Sequence, residues 1–452
     1  MIMIMKNKLL VYTPRLSPRL KYIFDLLMTD LIGIDYVFCL QPEEFKKFEG
    51  PKISYCDHPL GDEPFFFASR LLFEKGIEDQ QINVFEWKGL PVFFGTHPKY
   101  LLPFDVFAAS FYLVSRYEEY LPHIKDEHMR FSPQQSLAWQ KGFLNRPLVN
   151  IWALELKKIL AQQFSSLEFT EHHYRYISTF DIDSAYAYRE KGLIRHVGSI
   201  GLSLINFNFR GIGERLRVLM GLEKDPYDTY DWQLQMAEKY HLRQIYFFLV
   251  GDYGEYDKNI PVDGSRSFQS LIKSVADYAD VGIHPSYQSN TNRLQLRKEI
   301  RRLRTVLKND IVKSRQHFLK VTFPETFRNL LEFDIREDYS LGYASEIGFR
   351  ASICSPFPFY DLDLDVSTKL KLTPFMLMDG TLKDYMKLSP EESVERAKQL
   401  IDEVRAVNGT FVTLWHNQSV NDREEWAGWR TVYEQIVAYA VKDIPVKQKL
   451  RV

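Results

Sequence analysis

Predicted strands and helices alternate from residue 174 onwards, and this alternation limits the fold more than any other feature of the sequence. Apolar runs predict strands at "RQIYFFLVGD", "TPFMLMDG" and "TFVTLWHNQS". A helix is predicted at "SPEESVERAKQLIDEVRAVNG", where Ser389 is the N-cap, Glu392 completes a capping box and Gly409 ends the helix. Strands that alternate with helices form parallel sheets, so the sequence predicts an α/β fold, either a parallel sheet or a βα barrel.

The first part of the sequence has a mixed pattern of strands and helices. A chain of 452 residues is too long for one ordinary core, and the polar stretch "SSLEFTEHH" follows a complete amphipathic helix. We therefore predict a smaller α/β or α+β domain over residues 1–168, with no assigned role, and a second domain over residues 174–445. The histidines of the first part, His97, His123 and His128, lie in polar or proline-flanked stretches and are interpreted as surface or loop residues.

Composition and charge exclude several classes of function. The 58 basic and 59 acidic side chains give a net charge of −1, which argues against a nucleic-acid partner. No apolar run approaches the roughly 20 residues that span a bilayer, and the apolar N-terminus precedes its lysines, the reverse of a signal peptide. The three cysteines are scattered, without metal-finger spacing. We expect a cytoplasmic protein with reduced thiols and no transmembrane segment.

Several predicted strands end on residues capable of acid–base chemistry or metal binding. Asp181 and Asp183 follow "YRYISTF", His284 follows "VGI", Asp379 follows "PFMLM" and His416 follows "FVTLW". Each residue alone is explained by a turn or a structural hydrogen bond. The carboxyl ends of the strands in a βα barrel gather at one face, however, so these side chains should converge. A cluster of aspartate and histidine suits a divalent ion such as Zn²⁺.

Four short stretches in the same order carry a family resemblance. Residues 174 to about 440 resemble the polysaccharide deacetylases, which share the NodB-homology fold and are also called carbohydrate esterase family 4. The stretch "TFDIDS" is similar to the opening motif of that family, "HPSYQS" to its second motif, "SRQHF" to its third and "TLWH" to its last. The resemblance covers roughly 60% of the chain and implies a distorted (β/α) barrel of the NodB-homology type.

The resemblance also implies roles for five residues. Asp181 matches the general base, Asp183 and His284 match metal ligands, Arg315 matches the arginine that braces the base, and His416 matches the general acid. Backbone N–H groups near Phe318 would help to stabilise an oxyanion.

The second motif departs from the family pattern. Its second histidine is absent, because Gln288 or Ser289 stands in its place. We therefore expect water, or an oxygen of Ser286, Gln288 or Ser289, to complete the metal site. Such oxygens are weaker ligands than imidazole for Zn²⁺, so the site is predicted to bind metal weakly. Asp379 and Arg350 are further candidate site residues.

These observations lead to one principal hypothesis and two alternatives. The principal hypothesis is a metal-dependent hydrolase that removes N-acetyl groups from an amino-sugar-containing glycan or glycoconjugate, with zinc as the expected cofactor and a carbohydrate as partner. One alternative is a catalytically inactive or metal-free relative that binds carbohydrate. The other is a hydrolase that cleaves the C–N bond of a small amide.

Overall fold

A computed structural model of the protein describes residues 8–192, 201, 205, 207 and 209–445. Its first part is built on a four-stranded parallel sheet in the order β2-β1-β3-β4. Those strands are β1 (Leu9–Tyr12), β2 (Tyr36–Cys39), β3 (Lys52–Cys56) and β4 (Phe65–Phe67). The sheet is flanked by α1 (Pro18–Phe24), which continues as a π-helix over Asp25–Ile32, and by α2 (Pro42–Lys47).

Alternating side chains of β1 serve two separate cores. Leu9 and Val11 are buried in the main core, which also contains α1. Leu10 and Tyr12 point the other way and pack in a small cluster with Phe45 of α2. This period of two is what a strand covered on both faces requires. Together with the strand order, it makes the first part a doubly wound α/β unit.

The remaining elements of the first part cover this sheet and lead to the second part. They are the antiparallel hairpin β5 (Phe85–Trp87) and β6 (Leu90–Val92), followed by α3 (Val106–Val114), α4 (Tyr117–Tyr120), α5 (Leu137–Gln140) and α6 (Leu148–Gln163). Every residue of α3 is buried, and Asp105 caps its N-terminus. A helix that is apolar on all sides belongs inside a core.

The second part contains a nine-stranded sheet in the order β12-β13-β11-β10-β9-β8-β7-β15-β14, parallel except between β12 and β13. Its strands are β7 (Arg175–Ile182), β8 (Gln244–Phe248), β9 (Asp280–Ile283), β10 (Lys313–Ser314), β11 (Glu337–Asp338), β12 (Phe357–Asp361), β13 (Val366–Leu372), β14 (Leu377–Met378) and β15 (Thr410–His416). The helices are α7 (Phe209–Leu219), α8 (Tyr230–Tyr240), α9 (Arg266–Ala276), α10 (Arg293–Leu307), α11 (Glu325–Glu332), α12 (Pro390–Ala406) and α13 (Trp429–Val441).

The predicted α/β class is confirmed, but the described strands do not close into a barrel. The sheet has two edges, β12 and β14. An irregular segment crosses the gap between β11 and β15: the N–H of Phe375 donates to the carbonyl of Leu341 (3.2 Å) and that of Met376 to the carbonyl of Val412 (3.0 Å). Pro374 lies in this segment and has no N–H to donate, which prevents a continuous ladder there.

One core and a buried ionic cluster join the two parts. A single cluster of buried apolar side chains extends from Leu9 to Ile444 and includes both sheets. Within it, Arg350 donates from Nε and Nη2 to the two carboxylate oxygens of Glu119 (2.9 and 2.6 Å), and Arg116 Nε donates to Glu119 as well (2.8 Å). Arg350, a sequence-based candidate for the functional site, therefore lies between the two parts, and the predicted boundary at residues 168–174 stays a prediction.

No helix within the described ranges is long and apolar enough to cross a bilayer.

Candidate active site

The ends of adjacent parallel strands bring the predicted site residues together. In the register of β7 and β15, Asp181 lies opposite His416. His284 directly follows β9, and its Nε2 lies 3.2 Å from Asp183 Oδ1. Arg315 directly follows β10, and its Nη1 lies 3.0 Å from Asp181 Oδ1. The structure thus places these five side chains in one cluster at the carboxyl end of the sheet.

A sixth side chain, His317, joins this cluster and was missed by sequence reasoning. One ligand atom each from Asp183, His284 and His317 lies within 4.8 Å of the others. His317 Nε2 lies 3.7 Å from Asp183 Oδ1. The stretch "SRQHF" contained this histidine, but β10 has only two residues, which is too short for side-chain alternation to reveal that positions 315 and 317 face the same site.

The hydrogen bonds of the two imidazoles determine which nitrogen faces the cluster. His284 Nδ1 lies 2.5 Å from the carbonyl oxygen of Arg315, which cannot donate, so Nδ1 carries the proton. His317 Nδ1 likewise donates to Asp257 Oδ1 (2.8 Å). Such outer hydrogen bonds orient histidines that bind metals. Both Nε2 atoms are left to point at Asp183.

This arrangement tests whether a metal ion fits the site. His284 Nε2 and Asp183 Oδ1 are both buried, and neither has a hydrogen-bond partner among the described residues. Two acceptors 3.2 Å apart repel each other unless a cation lies near both. Two imidazole nitrogens and a carboxylate are a common ligand set for Zn²⁺. The donor set therefore fits a divalent metal ion.

The pKa shifts indicate the same need for positive charge. Burial opposes ionisation of Asp183, but His317, His284 and His416 outweigh burial and hold its pKa well below the usual range. Burial by itself lowers the pKa of His317, whereas Asp183 and Asp257 raise it, with a net value of about 9. A proton on an imidazole, or a bound cation in its place, balances the Asp183 carboxylate.

The oxygens that were expected to complete the ligand set are engaged elsewhere. Ser286 Oγ donates to the buried carboxylate of Glu299 (2.5 Å), and Ser289 Oγ donates to the carbonyl of Ser286 (2.7 Å). Gln288 is exposed. The chain after His284 turns away from the cluster through a short 3₁₀ helix that leads into α10. The hydrogen bonds of Ser286 and Ser289 do not fit that expectation, and the neighbouring loop instead brings a nitrogen of His317 near Asp183 and His284.

Arg315 braces Asp181 from within the core. Arg315 is fully buried, and its Nη1 donates to Asp181 Oδ1 (3.0 Å) and to Thr179 Oγ1 (2.5 Å). Its Nε donates to the carbonyl of Tyr339 (3.0 Å), and the guanidinium lies over the ring of Phe247 (4.7 Å). These contacts fix the guanidinium beside the carboxylate. Asp181 is thereby held in one orientation and compensated in charge.

His416 is held on the opposite side of the cluster by Asp379. His416 Nδ1 lies 2.8 Å from Asp379 Oδ1, and the backbone N–H of His416 donates to Asp379 Oδ2 (2.7 Å). Burial lowers the pKa of His416, but Asp379, Asp183 and Asp181 raise it, with a net value of about 10. Its Nε2 lies 3.8 Å from Asp183 Oδ2. A protonated imidazole at this position can act as a general acid.

The cluster forms the floor of a pocket of about 360 Å³. This volume lies within the range of about 300–1,000 Å³ that is usual for small-molecule sites. The walls include three tyrosines, Tyr227, Tyr256 and Tyr385, and the turn at Phe318. Arg130, from the first part of the chain, also lines the pocket. Both parts of the protein therefore contribute to the site.

Comparison with known proteins finds similarity to both parts of the chain. Residues 9–165 match a family of unknown function (DUF7033). No curated protein sequence matches the chain. Among solved structures, one described as a putative polysaccharide deacetylase from Mycobacterium smegmatis is similar at 16% identity over 61% of this chain and 86% of its own, with a TM-score of 0.40. PuuE allantoinase is similar at 10% identity over 60% of this chain and 85% of its own, with a TM-score of 0.39. A CE4 family pseudoenzyme from Bacillus anthracis is similar at 10% identity over 60% of this chain and 62% of its own, with a TM-score of 0.29.

Proposed function

We propose that this protein is a metal-dependent hydrolase that cleaves an amide bond, with N-acetyl groups of an amino-sugar-containing glycan or glycoconjugate as its substrate class. The observation that carries the proposal is the buried His284 Nε2, which has no hydrogen-bond partner among the described residues and lies 3.2 Å from the equally unpartnered Asp183 Oδ1, with His317 Nε2 3.7 Å from the same oxygen. The resemblance of the four sequence motifs supports the choice of an N-acetylated sugar. The tyrosines of the pocket wall also support it, because aromatic rings pack on the apolar faces of sugars.

Each residue of the site has a part in the proposed reaction. Asp183, His284 and His317 would hold the ion, which supplies a Lewis acid for the acyl oxygen and lowers the pKa of water. Asp181 takes the proton of the attacking water, and Arg315 keeps that carboxylate oriented. His416, protonated and fixed by Asp379, gives a proton to the leaving nitrogen.

A second candidate function is hydrolysis of a small amide. It is favoured by the pocket volume, which at about 360 Å³ is near the lower end of the usual range. The missing histidine of the second motif favoured the alternative of a catalytically inactive or metal-free carbohydrate-binding relative; His317 offers a ligand atom in its place, which favours the metal-dependent hydrolase.

The proposal is tested by titrating chelator-treated protein with Zn²⁺ in a calorimeter. We expect Asp183→Ala and His317→Ala to weaken binding strongly, because each removes a ligand atom. Gln288→His is the matched control: it restores the family motif, but at an exposed position outside the cluster, so it should leave Zn²⁺ binding unchanged. Acetate release from N-acetylglucosamine oligomers, compared with release of amine from a small amide, then separates the two substrate classes. Unchanged Zn²⁺ affinity in His317→Ala and Asp183→Ala would refute the metal site.

A further inference from the structure

The first part of the chain contains a crevice that the proposed hydrolase does not use. In the order β2-β1-β3-β4, the chain leaves β1 toward β2 on one side and leaves β3 toward β4 on the other. Connections that diverge from two adjacent parallel strands open a crevice at their carboxyl ends, and ligands of doubly wound α/β proteins bind there. The topology therefore predicts a crevice between the ends of β1 and β3.

A cavity of about 660 Å³ lies at this place. It is lined by Arg15 from the segment after β1, by Asp57 and His58 from the segment after β3, and by Arg70 and Phe73 from the turn after β4. It shares no lining residue with the pocket above Asp183. The cavity therefore lies apart from the pocket that contains Asp183.

The acidic side chains of the cavity have side-chain partners, whereas its two arginines have no acidic partner among the described residues. Asp57 Oδ1 lies 2.6 Å from His58 Nδ1, an ion pair only when His58 is protonated, and the other acid of the lining, Glu74, accepts from Gln80 (3.1 Å). Arg15 donates from Nη2 to the carbonyl of Phe73 (3.1 Å) and lies over its ring, while Arg70 is exposed. Within residues 8–192, 201, 205, 207 and 209–445, neither guanidinium forms an ion pair with a carboxylate.

We propose that this crevice binds a phosphate-bearing small molecule between Arg15 and Arg70. The planar fork of a guanidinium matches the oxygens of phosphate or carboxylate. A carboxylate can also accept from two arginines, as Glu119 does, but a phosphate offers more acceptor oxygens and a charge of about −1.5 to −2 at neutral pH, which matches the charge of two guanidinium groups. The two arginines without acidic partners therefore favour phosphate.

The test is calorimetric titration of the chelator-treated full chain with pyrophosphate, and separately with succinate at equal ionic strength. We expect pyrophosphate to bind the wild type, and Arg15→Gln and Arg70→Gln to weaken its binding about tenfold or more, as loss of a charged hydrogen bond does. The control is Arg146→Gln, which removes a partly exposed arginine bonded to the carbonyl of Gly89, and it should bind as the wild type does. Absence of binding, or equal affinity in Arg70→Gln and the wild type, overturns the proposal. Succinate binding as tight as that of pyrophosphate overturns the choice of phosphate.

A second, independent observation concerns a loop of the first part that reaches the metal cluster. The loop over residues 125–131 is closed by an antiparallel bridge between Lys125 and Phe131. Inside it, Asp126 Oδ1 accepts the N–H groups of His128 and Arg130, and Asp126 Oδ2 accepts Arg130 Nε (2.7 Å). The loop is therefore organised by its own hydrogen bonds, and it presents the Arg130 guanidinium outward.

Arg130 and His128 both contact the turn that follows His317. Arg130 Nη1 donates to the carbonyl of Phe318 (2.8 Å), and the His128 ring lies 4.7 Å from the Phe318 ring. The loop position predicted for His128 is confirmed, and its ring packs against the turn that follows His317. Phe318 and Leu319 have φ values of 58° and 53°, in the left-handed region that residues with a Cβ seldom adopt. Contacts from outside the turn are needed to hold two such residues in succession.

We infer that Arg130 is a positioning residue for His317, and that the first part of the chain is in this way a structural component of the metal site. This inference rests on the proposed function. Without the bond from Arg130, the left-handed turn can relax toward ordinary backbone angles. His317 would then move relative to Asp183, and the three ligand atoms would no longer converge.

The test uses Co²⁺ as a spectroscopic probe and compares Arg130→Gln with Arg146→Gln. We expect Arg130→Gln to bind Co²⁺ about tenfold more weakly and to alter its visible absorption, because loss of support around a ligand typically costs 10–100-fold in affinity. Arg130→Lys, which keeps one donor for the Phe318 carbonyl, should restore part of the affinity. If His317→Ala weakens Co²⁺ binding but Arg130→Gln changes neither affinity nor spectrum, the inference fails and the metal site stands. If His317→Ala has no effect, the proposed function fails.

Discussion

Asp257 provides the sharpest test of how the site is supported. It is buried, and its Oδ1 accepts both His317 Nδ1 (2.8 Å) and the backbone N–H of Tyr287 (2.9 Å). Replacement by asparagine keeps the shape and an accepting oxygen but removes the negative charge. The imidazole then becomes a weaker donor of electrons to a metal, since such carboxylate partners raise ligand basicity.

The expected change in Zn²⁺ affinity of Asp257→Asn follows from two opposing effects. Loss of an outer partner costs 10–100-fold in metal affinity, or about 1.4–2.7 kcal/mol. Asp257 also helps to raise the pKa of His317 to about 9, so its removal lowers that pKa and reduces competition between the proton and the metal for Nε2. The second effect offsets part of the first. We therefore expect Asp257→Asn to weaken Zn²⁺ binding by about tenfold, the lower end of that range.

A double-mutant cycle separates this mechanism from a general effect on the fold. Zn²⁺ affinity is measured for the wild type, Asp257→Asn, His317→Ala and the double variant. If Asp257 acts through His317, then Asp257→Asn costs about tenfold in the wild type and nothing in the His317→Ala background. Asp277→Asn, at an exposed position, is the matched control and should not alter affinity. An equal loss in both backgrounds would refute the argument.

Three further predictions concern activity and stability. Arg315→Lys should lower kcat about 100-fold or more with little change in the melting temperature, because lysine cannot reproduce the fork that holds Asp181, and steady-state kinetics measure this. Asp379→Asn should lower the pKa of His416, so the alkaline limb of the pH–rate profile moves to lower pH, and an unmoved limb would contradict His416 as the acid. Glu119→Gln should lower the free energy of unfolding by about 3–5 kcal/mol at neutral pH, because it leaves buried guanidinium groups without a charge partner. Burial opposes ionisation of Glu119, but Arg350 and Arg116 outweigh burial and lower the pKa of Glu119 below 4.5. The stabilisation that the Glu119 carboxylate contributes is therefore full above pH 4.5 and declines as the pH falls toward the folded-state pKa. Chemical denaturation should accordingly show that the stability difference between Glu119→Gln and the wild type shrinks in acid.

Parts of this site could be predicted from the sequence because they depend on strand ends. Apolar runs showed where β7, β9 and β15 end, and the carboxyl ends of parallel strands converge whatever the details of the helices between them. Asp181, His284 and His416 could therefore be placed together before any coordinates were known. The α/β class followed from the same alternation of strands and helices.

Other features depend on contacts between distant parts of the chain, which local patterns do not encode. Asp257 and His317 are 60 residues apart in sequence, and only their packing shows that one carboxylate orients the imidazole. Arg350 is separated from Glu119 by 231 residues, so a plausible site residue proved to be the partner of a buried acid in another part of the chain.

The sequence by itself thus determined the class of fold and the delivery of acids and imidazoles to one end of a sheet, because hydrophobic periodicity fixes which residues end a strand. The tertiary structure alone decided which second histidine lies beside Asp183 and His284. Gln288 stands where the motif expects a ligand, but the chain there turns toward α10, and His317 enters from the next loop. The direction in which a loop leaves a strand is set by what packs against it, here Glu299 against Ser286 and Arg130 against Phe318.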